Sequence, residues 1–215
     1  MRPHRREAPP GRVQRKEVRT VAEDGLSKAS ILDAAEGALR KFGLAKTNMS
    51  DVARALGVSH AALYRHYENK AALRLAVVER WMGGVFEPLG AVLAEEAPPE
   101  TKLYRWLSAL REFKRERARQ DPELFAMYAA LVAETEGALE GHARLLAEQL
   151  AGIIEAGANS GAFVCKDARQ AAAGVFYAFT RFHHAAHAAE WDTPESEAGF
   201  EAVWQLTLHG LGAGS

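Results

Sequence analysis

The stretch that most limits what this chain can fold into is residues 47–67, TNMSDVARALGVSHAALYRHY. Met49, Val52, Ala53 and Leu56 recur at helical spacing, so one side of a short helix is apolar. Thr47 or Asn48 stands where an N-cap is needed, and Asp51 falls in the first turn, where a carboxylate suits the positive end of the helix dipole. Gly57 supplies the left-handed backbone that ends the helix. Val58 points back into a small core, and Ser59 offers a hydroxyl to cap a second helix, from His60 to about His66. Two helices about a glycine-centred turn make a helix-turn-helix.

The second helix has an unusual composition for one that only packs. Leu63 and one side of Ala62 look inward, whereas His60, Ala61, Tyr64, Arg65 and His66 leave a face of small and hydrogen-bonding groups. A helix entering the major groove of DNA needs such a face: small residues allow close approach, and polar side chains reach base edges and phosphates. Taken alone, the turn also fits a surface helical hairpin with a polar rim.

Extended to Ser27–Leu73, the segment resembles the N-terminal domain of the tetracycline-repressor (TetR) family. ILDAAEGALRKFG matches its first helix, TNMSDVARALGVS its second helix and turn, and HAALYRHYENKAAL its recognition helix running into a fourth. Phe42 and Gly43, the Gly57-Val58-Ser59 turn, Tyr64, the pair His66 and Tyr67, and Lys70 all stand at motif positions. The chain departs from the pattern at Ala61, commonly glycine, and at Tyr67, usually phenylalanine. The resemblance implies that Ser59, His60, Ala61 and Arg65 meet bases or groove-edge phosphates. Thr47, Tyr64, His66 and Lys70 then position the DNA backbone, and Asn48 counts among the DNA-binding positions.

Net charge supports a split. Over the whole chain it is −1. Residues 1–80 carry 16 Lys and Arg against 9 Asp and Glu, a net of +7, and residues 81–215 carry 11 against 19, a net of −8. A basic module beside an acidic one fits a nucleic-acid-binding part joined to a non-binding part. Residues 1–26 hold seven of those cations with Pro9, Pro10 and Gly11 and few aliphatics, and read either as a phosphate-tracking arm or as a solubilising tail. No apolar run is long enough to span a bilayer, the charged start of the sequence gives no expectation of export, and the lone Cys165 fits a reducing cytoplasm.

The expected fold is all-α: an arm over 1–26, a three-helix DNA-binding domain over 27–72, and a larger helical domain over 73–213. The first helix runs from Lys28 to about Phe42 with Phe42 in its core, and Gly83-Gly84 with Pro88 breaks the fourth. Later helices are expected over 100–119, 123–133, 136–158, 167–190 and from Thr193 to near Gly210. The run REFKRERAR, residues 111–119, reads as a solvated face.

DPELFAMYAAL, a helical His142 and RFHHAAHAAEW resemble a C-terminal domain of one branch of the same family, which implies ligand binding and two-fold dimerisation through the last two long helices. On a helical wheel Ala171, Val175, Ala178 and Phe182 share one side, which with Trp204 and Leu208 makes the expected dimer face. The other arc gives Phe176, Tyr177, Thr180, His183 and His184, which with Phe125, Tyr128 and His142 make the expected ligand site. Both helices serving as monomer core is the competing reading. His183, His184 and His187, with His142, have the spacing for a transition metal, but no cysteine and only Glu190 accompanies them, so no metal or cofactor is expected. An enzyme would rest on these histidines with Asp167 or Glu190 and lacks a nucleophile elbow or phosphate loop. The expected activity is that of a homodimeric regulator, expected to act as a repressor, that binds operator DNA and is released by a small effector; a constitutive DNA-binding dimer is the alternative.

Overall fold

The computed structural model describes residues 26–134, 137 and 139–212; of residues 44–46 it describes the backbone alone. The arm expected over residues 1–25 lies outside the described residues. Within them are eleven α-helices and one 3-10 helix, and no strand. They are α1 (Lys28–Lys46), α2 (Met49–Leu56), α3 (His60–Tyr64), α4 (Lys70–Gly83), α5 (Phe86–Ala94), α6 (Pro99–Gln120), α7 (Pro122–Glu134), α8 (Glu140–Asn159), α9 (Ala168–Ala178), α10 (Thr180–His183) and α11 (Pro194–Gly210), with the 3-10 turn Ala185–Glu190 between α10 and α11. Two compact units divide between Val77 and Val78, inside α4.

In the first unit each helix end is closed locally. Ser27 and Ser30 form a capping box at the start of α1, and Asn48 and Asp51 form another at α2. α1 is kinked at Gly43, whose φ of 73° lies in the left-handed region, and a hydrogen bond from the Thr47 amide to the Gly43 carbonyl closes the end. Phe42 stands just before the kink. Expected in the core, it is 46% exposed. Gly57 at φ 67° ends α2, and the Val58 amide bonds back to Ala53 O. Ile31, Ala35, Leu39, Val52, Leu63 and Val77 are buried.

In the second unit Trp106 and Leu110 of α6, Leu150 and Ile154 of α8, Phe179, and Phe200 and Trp204 of α11 share one core. Phe163 packs where Gly157 leaves room: a Cβ on that glycine would lie 2.1 Å from the Phe163 ring. The Val164 amide then bonds Leu211 O at 2.7 Å, fastening the 160s loop to the end of α11. α8 begins at Glu140 rather than 136, with Gly137 just before it at φ 74°.

The largest departure from the sequence reading lies in residues 167–190. One long helix was the expectation, and the helix stops at Ala178. Thr180 Oγ1 bonds Phe176 O at 3.2 Å, a bond that bends helices, and Phe179 and Phe182 both turn into the aromatic cluster around Phe200, at 5.0 and 5.4 Å. His184 Nδ1 accepts from the Ala186 amide and starts the 3-10 turn. A single helical wheel therefore does not hold across this segment. Of the expected dimer-face residues, Val175, Phe182 and Trp204 are buried in the core of their own unit. Ala171 and Leu208 pack partly against that core, and Ala178 is exposed.

Candidate functional site

Two constellations hold the candidate residues, one in each unit. In the first, α3 is short and firmly placed. Ser59 Oγ accepts from the Ala62 amide at 3.2 Å, Ala62 and Leu63 are fully buried, and the His66 and Tyr67 amides bond Leu63 O. Tyr67 is buried behind the helix. What remains outward is His60, Ala61, Tyr64 and Arg65, with His66 half-buried and Lys70 exposed at the start of α4. The His60 and Tyr64 rings meet edge to face at 5.0 Å, so these i, i+4 neighbours hold one another in place. Asn69 Oδ1 caps α4 through the Ala72 amide at 2.8 Å.

Two of the expected contact residues have structural work here. Thr47 is buried, and its hydroxyl donates to Ala38 O at 3.2 Å and Gly43 O at 2.9 Å. Asn48 gives its side chain to the α2 cap, accepting from the Asp51 amide at 3.1 Å.

In the second unit, a cavity of about 420 Å³ is lined by Lys114, Tyr128, Val132, Leu139, His142, Leu146, Phe176, His183 and His184, among others. It brings together five of the eight residues expected at the ligand site: Tyr128, His142, Phe176, His183 and His184. It leaves out three. Phe125 packs against Trp81 and Trp191, Tyr177 is 78% exposed, and Thr180 bonds the Phe176 carbonyl.

The cavity also contains a residue the sequence reading assigned to solvent. Lys114, in REFKRERAR, is only 4% exposed. Its Nζ donates to Tyr128 Oη at 3.0 Å and lies 4.4 Å from the centroid of that ring. It has no ion pair among the described residues, and burial pushes its pKa down to about 7. The clue was available: Leu103, Leu107, Leu110 and Lys114 follow one another at steps of four, three and four, so the lysine continues the apolar stripe of α6.

The histidines around it are held neutral by burial. His183 is 8% exposed, stacks on Phe176 at 4.6 Å, and has its pKa lowered to about 3 by desolvation first and the Lys114 charge second. His142 packs on Phe86 at 5.1 Å and is lowered to about 4 by the same causes. In both rings Nε2 is buried without a hydrogen-bond partner. Burial also raises the Tyr128 hydroxyl to about 12. His187 turns away, 3.8 Å from Glu190, and no group of three or more His, Cys, Asp or Glu among the described residues could hold a metal ion.

Two of the cavity's lining residues touch the last turn of α4. Lys114 Nζ lies 3.8 Å from Met82 Sδ, and the Trp81 ring meets Tyr128 at 6.4 Å. Trp81 is further fixed by its Nε1 donating to Asp121 at 3.3 Å.

Known families match both units. Residues 31–77 match the family described as bacterial regulatory proteins, tetR family, and residues 99–204 match the tetracyclin repressor-like C-terminal domain. The chain belongs to the TetR family. It is therefore one of a family of helix-turn-helix transcriptional regulators. TtgR of Pseudomonas putida, an HTH-type transcriptional regulator, is 41% identical over 61 residues, 28% of this chain and 29% of that protein. The chain thus matches less than a third of the length of that curated relative. A crystal structure of a putative transcriptional regulator from Pseudomonas aeruginosa PAO1 has the same fold, with TM-score 0.66 and 20% identity over 91% of this chain and 97% of that one. RolR in complex with resorcinol shares it at TM-score 0.61 and 15% identity, over 93% and 91%. Among the described residues no helix is long and apolar enough to cross a membrane.

Proposed function

We propose that this TetR-family chain is a cytoplasmic repressor that binds operator DNA as a homodimer and is released when a small molecule enters the cavity of its second unit. It is a regulator rather than an enzyme. The proposed parts are a basic arm over residues 1–26, the DNA-binding domain over 27–72 and the ligand and dimerisation domain over 73–213. The observation that carries the reading is α3: a capped helix with its apolar side fully buried and His60, Ala61, Tyr64 and Arg65 turned out. In this reading Ser59, His60, Ala61 and Arg65 read the groove, and Tyr64, His66 and Lys70 hold phosphates. Thr47 and Asn48 act on DNA by fixing α2 and the α1–α2 corner.

Release follows from α4. The helix starts at Lys70 beside the recognition helix and ends at Gly83, with Trp81 and Met82 in contact with the cavity's Tyr128 and Lys114. A ligand that repositions those two residues acts on the last turn of the same helix. A coupling of about 1–3 kcal/mol would change DNA affinity about 5–150-fold. RolR, of the same fold, was solved with a small aromatic molecule, which supports a cavity of this size as a ligand site.

For the dimer, Tyr177 on α9 and Leu206 on α11 are large apolar groups left exposed, at 78% and 73%. They replace the buried Val175, Phe182 and Trp204 as the proposed contact, with exposed Ala178 next to Tyr177 in the chain. Two copies would set two recognition helices about 34–36 Å apart, one helical turn of DNA. The experiment is selection of an operator from random DNA followed by gel shift and sedimentation. A two-fold symmetric site bound by a dimer is expected, with Leu206→Asp giving monomers that bind it weakly. Recovery of no preferred sequence would remove the regulator reading.

A further inference from the structure

We propose that the cavity is a receptor for a small organic acid, whose anionic oxygens seat on Lys114 Nζ while its apolar body lies against Phe176 and Leu146 and Nε2 of His142 and His183 hydrogen-bond its polar substituents. The inference rests on the ligand-responsive reading above and names the chemical class.

Three observations carry it. The first is the lysine itself. A primary amine nine-tenths buried is costly to place unless something compensates it, and here a phenol hydroxyl and a thioether are its only hydrogen-bond partners among the described residues. The second is the pair of orphaned imidazole nitrogens. His142 and His183 come from different parts of the chain, both line the same cavity, and in each the Nε2 is buried with no partner. A buried polar atom left unpaired costs stability, so two in one cavity with a lysine form a polar array complete only with a third party. The third is the remainder of the wall. Val132, Leu139, Leu146 and Phe176 are apolar, which suits a ligand with one acidic end and a hydrocarbon or aromatic body. About 420 Å³ lies within the range of cavities that enclose drug-sized molecules.

The charge logic selects an acid over a neutral ligand or a cation. The titratable groups facing Lys114 are Tyr128 from α7, His142 and, at the cavity wall, Glu140 from α8, and His183 and His184 from the α10 segment. The imidazoles and the phenol are neutral at pH 7 through burial, and His184 is lowered in the same direction. A carboxylate or phenolate arriving at Nζ supplies the ion pair that Lys114 lacks among the described residues and favours the ammonium form. Binding then draws a proton onto Lys114 wherever the free amine is neutral, that is above about pH 7.

The test uses matched pairs in which only the acidic group changes: octanoate with octanamide, and 4-phenylbutyrate with 4-phenylbutyramide. Calorimetry on the full chain at pH 7 is expected to show at least one acid binding tenfold or more tighter than its amide. Lys114→Met should bring the pair within about twofold. Amides binding as well as acids, no binding by any of the four, or a preference that survives in Lys114→Met each overturn the proposal. A readout on the unmodified chain stands beside the variant. At pH 8, acid binding measured in two buffers of different ionisation enthalpy should take up close to one proton, and at pH 6 little. No uptake at pH 8 contradicts an amine at the anion site. The selected operator separates this inference from the regulator reading. Acid binding that leaves operator affinity unchanged sinks release and keeps the acid site, and release by a neutral compound alone does the reverse.

Discussion

The recognition helix and the cavity handle polar side chains in opposite ways. On α3 the apolar residues Ala62 and Leu63 are sealed inside, and His60, Tyr64 and Arg65 lie on the outer side. Around the cavity Lys114 and His183 are sealed inside with less hydrogen bonding than their atoms allow. An outward polar group costs little to keep and is available to a charged, hydrated partner such as DNA. An inward, unsatisfied one costs stability and recovers it when a partner arrives. Substitutions in the first region should therefore change binding and spare stability, and substitutions in the second should change stability as well.

The largest effect expected is acid sensitivity of the second unit. His183 has a folded pKa of about 3 against about 6.5 unfolded, so between those values the unfolded chain holds a proton that the folded one lacks. Stability is complete above about pH 6.5 and is lost as pH falls toward 3, at about 1.4 kcal/mol per pH unit. Chemical denaturation across pH 4–7 should show that slope, reduced in His183→Leu; an equal slope in both proteins breaks the contrast. Lys114 has the same sign at higher pH. Its folded pKa of about 7 lies below the usual 10.5, so stability should rise from pH 7 toward 10 in the parent and stay flatter in Lys114→Met.

A smaller effect is expected at α3. His60→Ala should cost about 1–3 kcal/mol of operator binding, concentrated at one base pair, and shift the folding free energy by less than about 0.5 kcal/mol. An equal loss at every operator position would remove His60 as a reader. Smaller again is Lys70→Ala, which should weaken all sites alike and lower the salt slope by about one unit, seen by titrating affinity against salt concentration. Asn48→Ala sharpens the comparison from the other side: its cap should cost about 1 kcal/mol of stability, so that its effect on DNA follows unfolding rather than a lost contact.

How far these regions could be read from the sequence follows from how locally each is built. The helix-turn-helix depends on caps and a turn within a few residues of one another: Asn48 with Asp51, Gly57 with Ala53, Ser59 with Ala62. Such signals lie in the sequence itself, and the Ala62–Leu63 side is buried as its spacing implies. Phe42 is exposed although it shares the apolar spacing, and Gly43, expected as a stop, is a kink with the chain helical again to Lys46. The cavity depends on α6, α7, α8, α9 and the α10 segment together, and no local signal gives that meeting point. His142, His183 and Tyr128 were recognisable as candidates by residue type. Lys114 was hidden by the six arginine and glutamate neighbours within REFKRERAR, although its place on the leucine stripe marked it as buried. The break at Ala178 was hidden because residues 168–190 contain no proline, and what ends the helix is a long-range aromatic cluster with Phe200.

The central claim is that the cavity and the recognition helix are coupled through α4, and reciprocity tests it most directly. An acid that binds the free protein should be titrated into protein saturated with its selected operator, and operator should be titrated into protein saturated with the acid. The account predicts that each weakens the other by the same factor, within about 5–150-fold. Equal affinity of the acid for free and operator-bound protein would contradict it.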